Sequence, residues 1–282
     1  MPFEIRACSE LASSDMERFL NANVLSFNNL DWFSPDERFT EPGCFAIVEE
    51  RQIKALLAAT PECLPAAWLR FFYSQRDGEH TRYFNLLLSQ AKSTLRALGA
   101  QSLYSLAPYD WMEKLLRGNG FKTADKVVTL QRNFSEETIT MTSQNIIIRE
   151  MTNRDIKAVE AIDKAAFEPT WQLSRESLSR TYHRSTWHSV ALLEGEIVGY
   201  QMSTSAFDSA HLARLAVDPR WQRRGVGHRL VQDMLETFSA MGVRSFSVNT
   251  QASNVQSLSL YHAFCYERED RDILVMEMDI KF

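Results

Sequence analysis

The sequence predicts an α/β (α+β) chain built from two copies of one fold, each a mixed sheet covered by helices. Three observations carry this. A length of 282 residues divides, at roughly 150 per domain, into about two domains. Landmarks recur along the chain at a nearly constant spacing. Short apolar runs of strand character also alternate with longer runs of helical periodicity, as in a sheet with helices packed on it.

The repeat is read from three places. Phe3-Glu4-Ile5-Arg6 and Ile146-Ile147-Ile148-Arg149 each form a short strand pattern opening a helical stretch, 143 residues apart. Ala97-Leu98-Gly99-Ala100-Gln101-Ser102-Leu103 matches Ala240-Met241-Gly242-Val243-Arg244-Ser245-Phe246 at the same offset. In both, a helix ends at a glycine and a strand follows. Gly120-Phe121 corresponds to Cys265-Tyr266, with the offset grown to 145. The expected organisation is a first copy over 1–134, a linker over 135–145 in the polar Ser/Thr-rich stretch, and a second copy over 146–282.

The second copy reads element by element. Ile146–Arg149 is a strand, and Thr152–Phe167 a helix capped by Thr152 or Asn153. A further helix falls within Ser174–His183. Ser189–Glu194 and Ile197–Thr204 form a hairpin about Gly195. Ala210–Val217 is a strand stopped by Asp218-Pro219. Leu230, Val231, Met234, Leu235, Phe238 and Met241 line one face of a helix from about Gly225 to Met241. Ser245–Asn249 is the next strand, Asn254–Ala263 a helix, and Asp272–Ile280 a closing strand.

Composition excludes several classes. Lys+Arg is 31 and Asp+Glu 36, a formal charge of −5; 45% of residues are apolar, 24% charged and 11% aromatic. That is an ordinary globular composition, with apolar surface for two cores. Net acidity argues against a general nucleic-acid binder. No run reaches the about 18 apolar residues of a membrane span. The opening MPFEIRACSELASSD has acids where a secretory signal needs an apolar run, so a cytoplasmic protein is expected. Cys8, Cys44, Cys63 and Cys265 are far apart in sequence and form no metal-site or redox spacing. They read as reduced, mostly packed thiols, with no metal centre.

Chemistry concentrates in Leu215–Gly227. An apolar strand ends, a Pro-containing turn follows, and Gly225-Val226-Gly227 opens a long amphipathic helix. Glycines let successive backbone N–H groups point into one concavity, and the helix start adds unpaired donors and a positive dipole end. Such a place suits an anion such as a pyrophosphate. Five arginines (214, 220, 223, 224, 229) against one acid, Asp218, lie between Arg214 and Arg229. This patch is opposite in sign to the whole chain. No Gly-Lys-Ser/Thr and no GxGxxG is present, which sets aside two nucleotide-binding loops.

The string Ala216-Val217-Asp218-Pro219 with Gln222-Arg223-Arg224-Gly225-Val226-Gly227 resembles motif A of the GNAT superfamily of acetyl-CoA-dependent N-acetyltransferases. Ser253-Asn254 through Leu260-Tyr261, then Phe264-Cys265-Tyr266, resembles the family's Asn…Leu-Tyr…Gly-Phe segment. The resemblance covers about 146–280 and extends to the first copy through the repeat. It implies tandem GNAT-like domains, each with a mixed, mainly antiparallel sheet.

The resemblance also implies roles. The main chain of Leu215, Ala216 and Val217 would pair with the pantetheine amides of acetyl-CoA where two strands splay apart. Backbone N–H groups from Arg223, Arg224, Gly225, Val226 and Gly227 to His228, beside Gln222, would hold the diphosphate, with Arg224 adding charge. Asn254 would contact the pantetheine arm or cap its helix. The chemistry is direct attack of a primary amine of a small molecule or peptide on the thioester, within a ternary complex. The amine must lose a proton, the oxyanion needs a fixed donor, and the departing thiolate needs a proton. Tyr261 matches the family's general acid. For the base, His211 falls on the strand position where one branch carries Glu, and a water relay to Glu194 or Asp208 is the alternative. Asn249 stands where ribosomal-protein N-terminal acetyltransferases often carry Glu.

The first copy departs from the pattern. At offset 143, Glu79-His80-Thr81-Arg82-Tyr83-Phe84 lies against Gln222–Gly227, so Arg82 and Phe84 replace the glycines, and Leu116 stands for Tyr261. It is expected to be a degenerate copy without the cofactor motif. The alternative to an enzyme is a non-catalytic acyl-CoA-binding or regulatory module. The expected partners are acetyl-CoA and an amine acceptor, without nucleic acid or membrane, in a monomer or homodimer.

Overall fold

A computed structural model of the chain describes residues 3–22, 24–30, 32–134 and 145–281. Of the expected linker, residues 135–144 lie outside the described residues. The chain forms two compact units, Met1–Ala124 with Ile273–Phe282, and Asp125–Asp272.

The first unit contains β1 (Glu4–Ala7), α1 (Ser13–Leu20), β2 (Val24–Asn28), β3 (Cys44–Glu49), β4 (Gln52–Pro61), β5 (Ala66–Gln75), α2 (His80–Ala97), β6 (Ser102–Ala107) and α3 (Asp110–Gly118). In the second unit, β7 (Lys122–Asn133) is followed by β8 (Ile147–Glu150), α4 (Ile156–Ala166), α5 (Arg175–Arg184), β9 (Trp187–Leu193) and β10 (Glu196–Ala206). Then come β11 (Ser209–Val217), α6 (Val226–Ala240), β12 (Ser245–Gln251), α7 (Val255–His262) and the two-residue β13 (Glu267–Arg268). The last strand, β14 (Ile273–Asp279), returns to the first unit.

The first sheet runs β1-β3-β4-β5-β6-β14 and the second β7-β12-β11-β10-β9-β8. Each is antiparallel except for one central pair, β5 with β6 and β11 with β12. The mixed, mainly antiparallel architecture is therefore present in both units.

The unit boundaries differ from the expected 1–134 and 146–282. The strand expected to close the second copy pairs with β6 instead, from Leu274 opposite Ala107 to Asp279 opposite Ser102. Its place is taken by β7, running antiparallel to β12 from Ser245 opposite Asn133 to Gln251 opposite Val127. Each sheet is thus completed by the strand that sequence order assigns to the other copy. A strand's alternating pattern fixes which face is buried; it does not say which equivalent slot the strand fills.

Local sequence explains the elements near the site. Thr152 and Asp155 form a capping box at a 3-10 turn, so the helix expected from Thr152 becomes regular only at Ile156. Along α6, Leu230, Val231, Met234 and Phe238 are buried at helical spacing. Leu235 is half-buried, and Met241, expected on that face, is 59% exposed beyond the helix end. The α6 face of the second sheet carries a core of Ala210, Leu212, Val231, Met234, Phe238, Phe246 and Val248, among others. On the opposite face, Tyr200 and Ala216 of the sheet share a core with Val159 and Ile162 of α4 and Leu178 of α5.

Candidate active site

The site begins where β11 and β12 part. Their parallel pairing runs from Ser209 opposite Ser245 to Leu212 opposite Val248 and stops there. β12 continues against β7 to Gln251, while β11 continues against β10 to Val217. A bulge between Met202 and Ser203 leaves Ala213 out of register. Among the described residues, the Ala213–Val217 edge has no strand partner on its β12 side, so it presents main-chain hydrogen-bonding groups to an open fork.

Beyond Val217 the chain turns into α6. Asp218 accepts from the Arg220 amide at 2.9 Å and pairs with its guanidinium at 2.7 Å. Gln222 donates from Nε2 to the Val217 carbonyl at 3.1 Å, closing the turn. Arg223 (φ 59°) and Gly225 (φ 86°) both take left-handed backbone, a geometry only glycine adopts without steric cost. This folding directs consecutive N–H groups into one concavity. No side chain caps the start of α6, and among the described residues no group accepts from the N–H groups of Arg223 to His228. These orphan donors lie at the positive end of a 15-residue helix, an arrangement whose chemistry suits an anion.

The arginine patch is smaller than expected. Arg214 is drawn away to Asp163 at 2.6 Å, Arg220 is spent on Asp218, and Arg229 donates to Gln232 at 2.9 Å. Arg223 and Arg224 have no ion pair among the described residues, and Arg224 lies 4.7 Å over the Trp221 ring. Gly227 does different work from Gly225. A Cβ there would meet Leu260 Cδ2 at 3.2 Å and Val217 Cγ2 at 3.9 Å, so this glycine lets α6 pack closely against α7 and β11.

Tyr261 on α7 is 4% exposed and shares its apolar cluster with Leu212 and Val248, the last paired residues before the fork. Burial alone raises its hydroxyl above the ordinary phenol pKa, so it carries its proton at neutral pH. Behind it stands a second phenol, which the sequence placed in the Phe264-Cys265-Tyr266 segment without a role at the site. Tyr266 lies 5.8 Å away ring to ring, and its buried hydroxyl has no hydrogen-bond partner among the described residues. Two tyrosines five residues apart were the available signal.

His211 sits on the paired part of β11, its Nδ1 2.9 Å from Ser247 Oγ. Burial lowers its pKa, which favours the neutral ring. Asn249 lies one residue past the last position of β12 paired with β11, its Oδ1 accepting from Thr129 Oγ1 at 3.0 Å. Of the two roles open to Asn254, the structure displays the cap: its Oδ1 accepts from the Ser257 amide at 3.0 Å. Among the described residues no group of three or more His, Cys, Asp or Glu could hold a metal ion, and no helix is long and apolar enough to cross a membrane.

The first unit lacks this constellation, for reasons the offset of 143 did not reveal. α2 starts at His80, three residues earlier in the repeat than α6 starts at Val226. Glu79 and Thr81 therefore hold the places of Gly225 and Gly227, while Phe84 is core, edge-on to Phe72 at 5.0 Å. Asp77 covers the helix start itself, accepting from the Glu79 amide at 3.0 Å and the Tyr83 hydroxyl at 2.9 Å. The fork is closed as well. β6 pairs with β5 over Ala66–Trp68, and β2 then takes the same strand from Asn28 opposite Phe71 to Val24 opposite Gln75.

Similarity to known proteins bears on the domain and on the fold. Residues 156–265 match the model of the Acetyltransferase (GNAT) family. The [ribosomal protein bS18]-alanine N-acetyltransferase of Escherichia coli K12 is 23% identical over 116 residues, 41% of this chain and 77% of that protein. An uncharacterized N-acetyltransferase of Methanocaldococcus jannaschii is 25% identical over 130 residues, 46% of this chain and 81% of its own. Among solved structures, a tandem GNAT protein from the clavulanic acid biosynthesis pathway superposes with a TM-score of 0.65 at 12% identity, covering 100% of this chain and 99% of that one. A GNAT protein of Sphaerobacter thermophilus gives 0.64 at 15% identity, covering 99% and 96%. At these identities the structural likeness establishes the fold, and the sequence match establishes the domain. The chain is thus a tandem GNAT-fold protein whose second unit contains a GNAT acetyltransferase domain.

Proposed function

We propose that the second unit transfers an acetyl group from acetyl-CoA to a primary amine of a small molecule or peptide, by direct attack in a ternary complex. The single observation that carries this reading is the row of unpartnered N–H groups from Arg223 to His228 beside the open Ala213–Val217 edge. That pairing of an anion cradle with a free strand edge fits a ligand with a diphosphate followed by a chain of amides.

In this reading the cradle amides and Arg224 hold the diphosphate, and Gln222 steadies the turn through the Val217 carbonyl. The main chain of Leu215, Ala216 and Val217 pairs with the pantetheine amides, and a free N–H on that edge meets negative charge developing at the carbonyl oxygen. Asn254 keeps its Nδ2 for the pantetheine arm while its Oδ1 caps α7. Bound acetyl-CoA supplies the thioester carbonyl. Tyr261, protonated at neutral pH, gives its proton to the departing thiolate. His211, neutral through burial, takes the proton that the amine must lose before attack.

The relatives named for bS18-alanine acetylation make an alanine-ended peptide one acceptor to test, although Asn249 cannot act as a base. The experiment is calorimetric titration with acetyl-CoA, beside release of free thiol over a panel of polyamines, aminoglycosides and alanine-ended peptides. Binding with turnover of at least one amine is the expected result. Binding without turnover on any amine would reduce the unit to an acyl-CoA-binding module, and no binding would overturn the reading.

A further inference from the structure

The face of β11 that looks away from α6 carries a buried ionic cluster. Asp163 of α4 is fully buried and accepts from four donors. These are the Tyr200 hydroxyl from β10, Arg214 Nε at 2.8 Å and Nη2 at 2.6 Å from β11, and the Leu173 amide at 2.9 Å. Arg214 Nη2 also donates to the Trp171 carbonyl at 2.7 Å, and its guanidinium lies 3.7 Å over the Phe167 ring.

Three of these contacts reach residues 167–174, the segment between α4 and α5. Arg214 is the second residue of the open stretch of β11, immediately after the bulge that displaces Ala213. Ala216, further along the same stretch, shares an apolar cluster with Phe167 and Leu173. The cluster therefore ties one segment to the strand edge that borders the fork, on the face opposite the cradle. Buried ion pairs rarely stabilise more than apolar residues of the same volume would, so their use here points to fixed geometry. The planar guanidinium, with donors diverging to a carboxylate and a carbonyl, suits that purpose in a way lysine does not.

We propose that Asp163 is a positioning residue which, through Arg214 and Tyr200, holds the 167–174 segment against the open stretch of β11 and so sets which acceptor amine reaches the fork. This rests on the acetyltransferase reading above, with the donor on the α6 side and the acceptor on the opposite side.

Asp163→Asn leaves the Arg214 guanidinium buried without its counter-charge and is a poor probe if the unit then unfolds. Tyr200→Phe removes one donor and keeps the ring, and Arg214→Lys keeps the charge and loses the fork of donors. Hydrogen exchange followed by mass spectrometry is the primary readout on the full chain. In both variants, exchange of the 167–174 amides should rise at least tenfold, while that of α6 and the Kd for acetyl-CoA change by less than twofold. With the best amine of the panel, the acceptor KM should rise about tenfold and the acetyl-CoA KM should stay within twofold. Unchanged exchange in 167–174, or loss of protection in α6 in step with it, overturns the proposal. If the parent chain binds no acetyl-CoA, the acetyltransferase reading fails by itself, and exchange in 167–174 still decides whether the cluster positions that segment.

Discussion

Replacing Gly225 by alanine separates the anion cradle from the stability of the helix that carries it. Gly225 is held at φ 86°, where a Cβ costs about 1–2 kcal/mol. The chain relieves that cost by rotating the adjoining peptides, which turns N–H groups of the 224–226 stretch away from the concavity. A hydrogen bond to a charged group contributes about 1.5–3 kcal/mol, and 1.4 kcal/mol is about tenfold in Kd. Loss of one amide contact therefore predicts acetyl-CoA binding about tenfold to a hundredfold weaker. The control is Gly242→Ala, just past the other end of α6, at φ 88° with nothing within 4 Å of the new Cβ. It carries a similar backbone cost without touching the cradle. Titration calorimetry with acetyl-CoA, read beside thermal unfolding, should show similar destabilisation in both variants and lost affinity only in Gly225→Ala. Parental affinity in Gly225→Ala, or equal loss in both, refutes the cradle.

Other expectations follow from the same geometry. Because β2 fills the corresponding edge of β5 and Asp77 covers the start of α2, titration should saturate at one acetyl-CoA per chain; two equivalents would show the first unit competent. Tyr261→Phe should lower kcat by about 10²- to 10⁴-fold with little change in acetyl-CoA KM or melting temperature, since no hydrogen bond to that hydroxyl occurs among the described residues. An undiminished kcat would remove Tyr261 from the chemistry. Since burial lowers the His211 pKa, kcat/KM should fall with acid along a limb below the ordinary histidine value of about 6.5. His211→Gln should abolish that limb, and its survival would assign the base elsewhere. Arg149 holds the Asp155 carboxyl down to about 2, so the pair stabilises the fold above the ordinary Asp range and loses that contribution as pH falls towards 2. The shift corresponds to about 2 kcal/mol at most; with the Arg149 side chain 40% exposed, screening reduces it to about 1 kcal/mol. Unfolding curves of Asp155→Asn should differ from the parent at pH 7 and converge with it near pH 2, whereas a constant difference would contradict the assignment.

The sequence by itself determined the local devices. Gly225 stands where left-handed backbone is needed, Asp218-Pro219 stops β11, and the apolar spacing of α6 buries Leu230, Val231, Met234 and Phe238. Each depends on a few neighbouring residues and on backbone sterics, which read directly from residue type. The doubling was legible for the same reason, because equivalent strands and caps recur at fixed spacing. Tertiary structure alone decided which strand completes which sheet: β7 lies against β12 and β14 against β6. It alone set β2 into the fork of the first unit and took Arg214 from the expected anion patch into a buried pair with Asp163, 51 residues away in sequence. Strand pairing and burial of charge are non-local choices, settled by which partners the whole chain brings together.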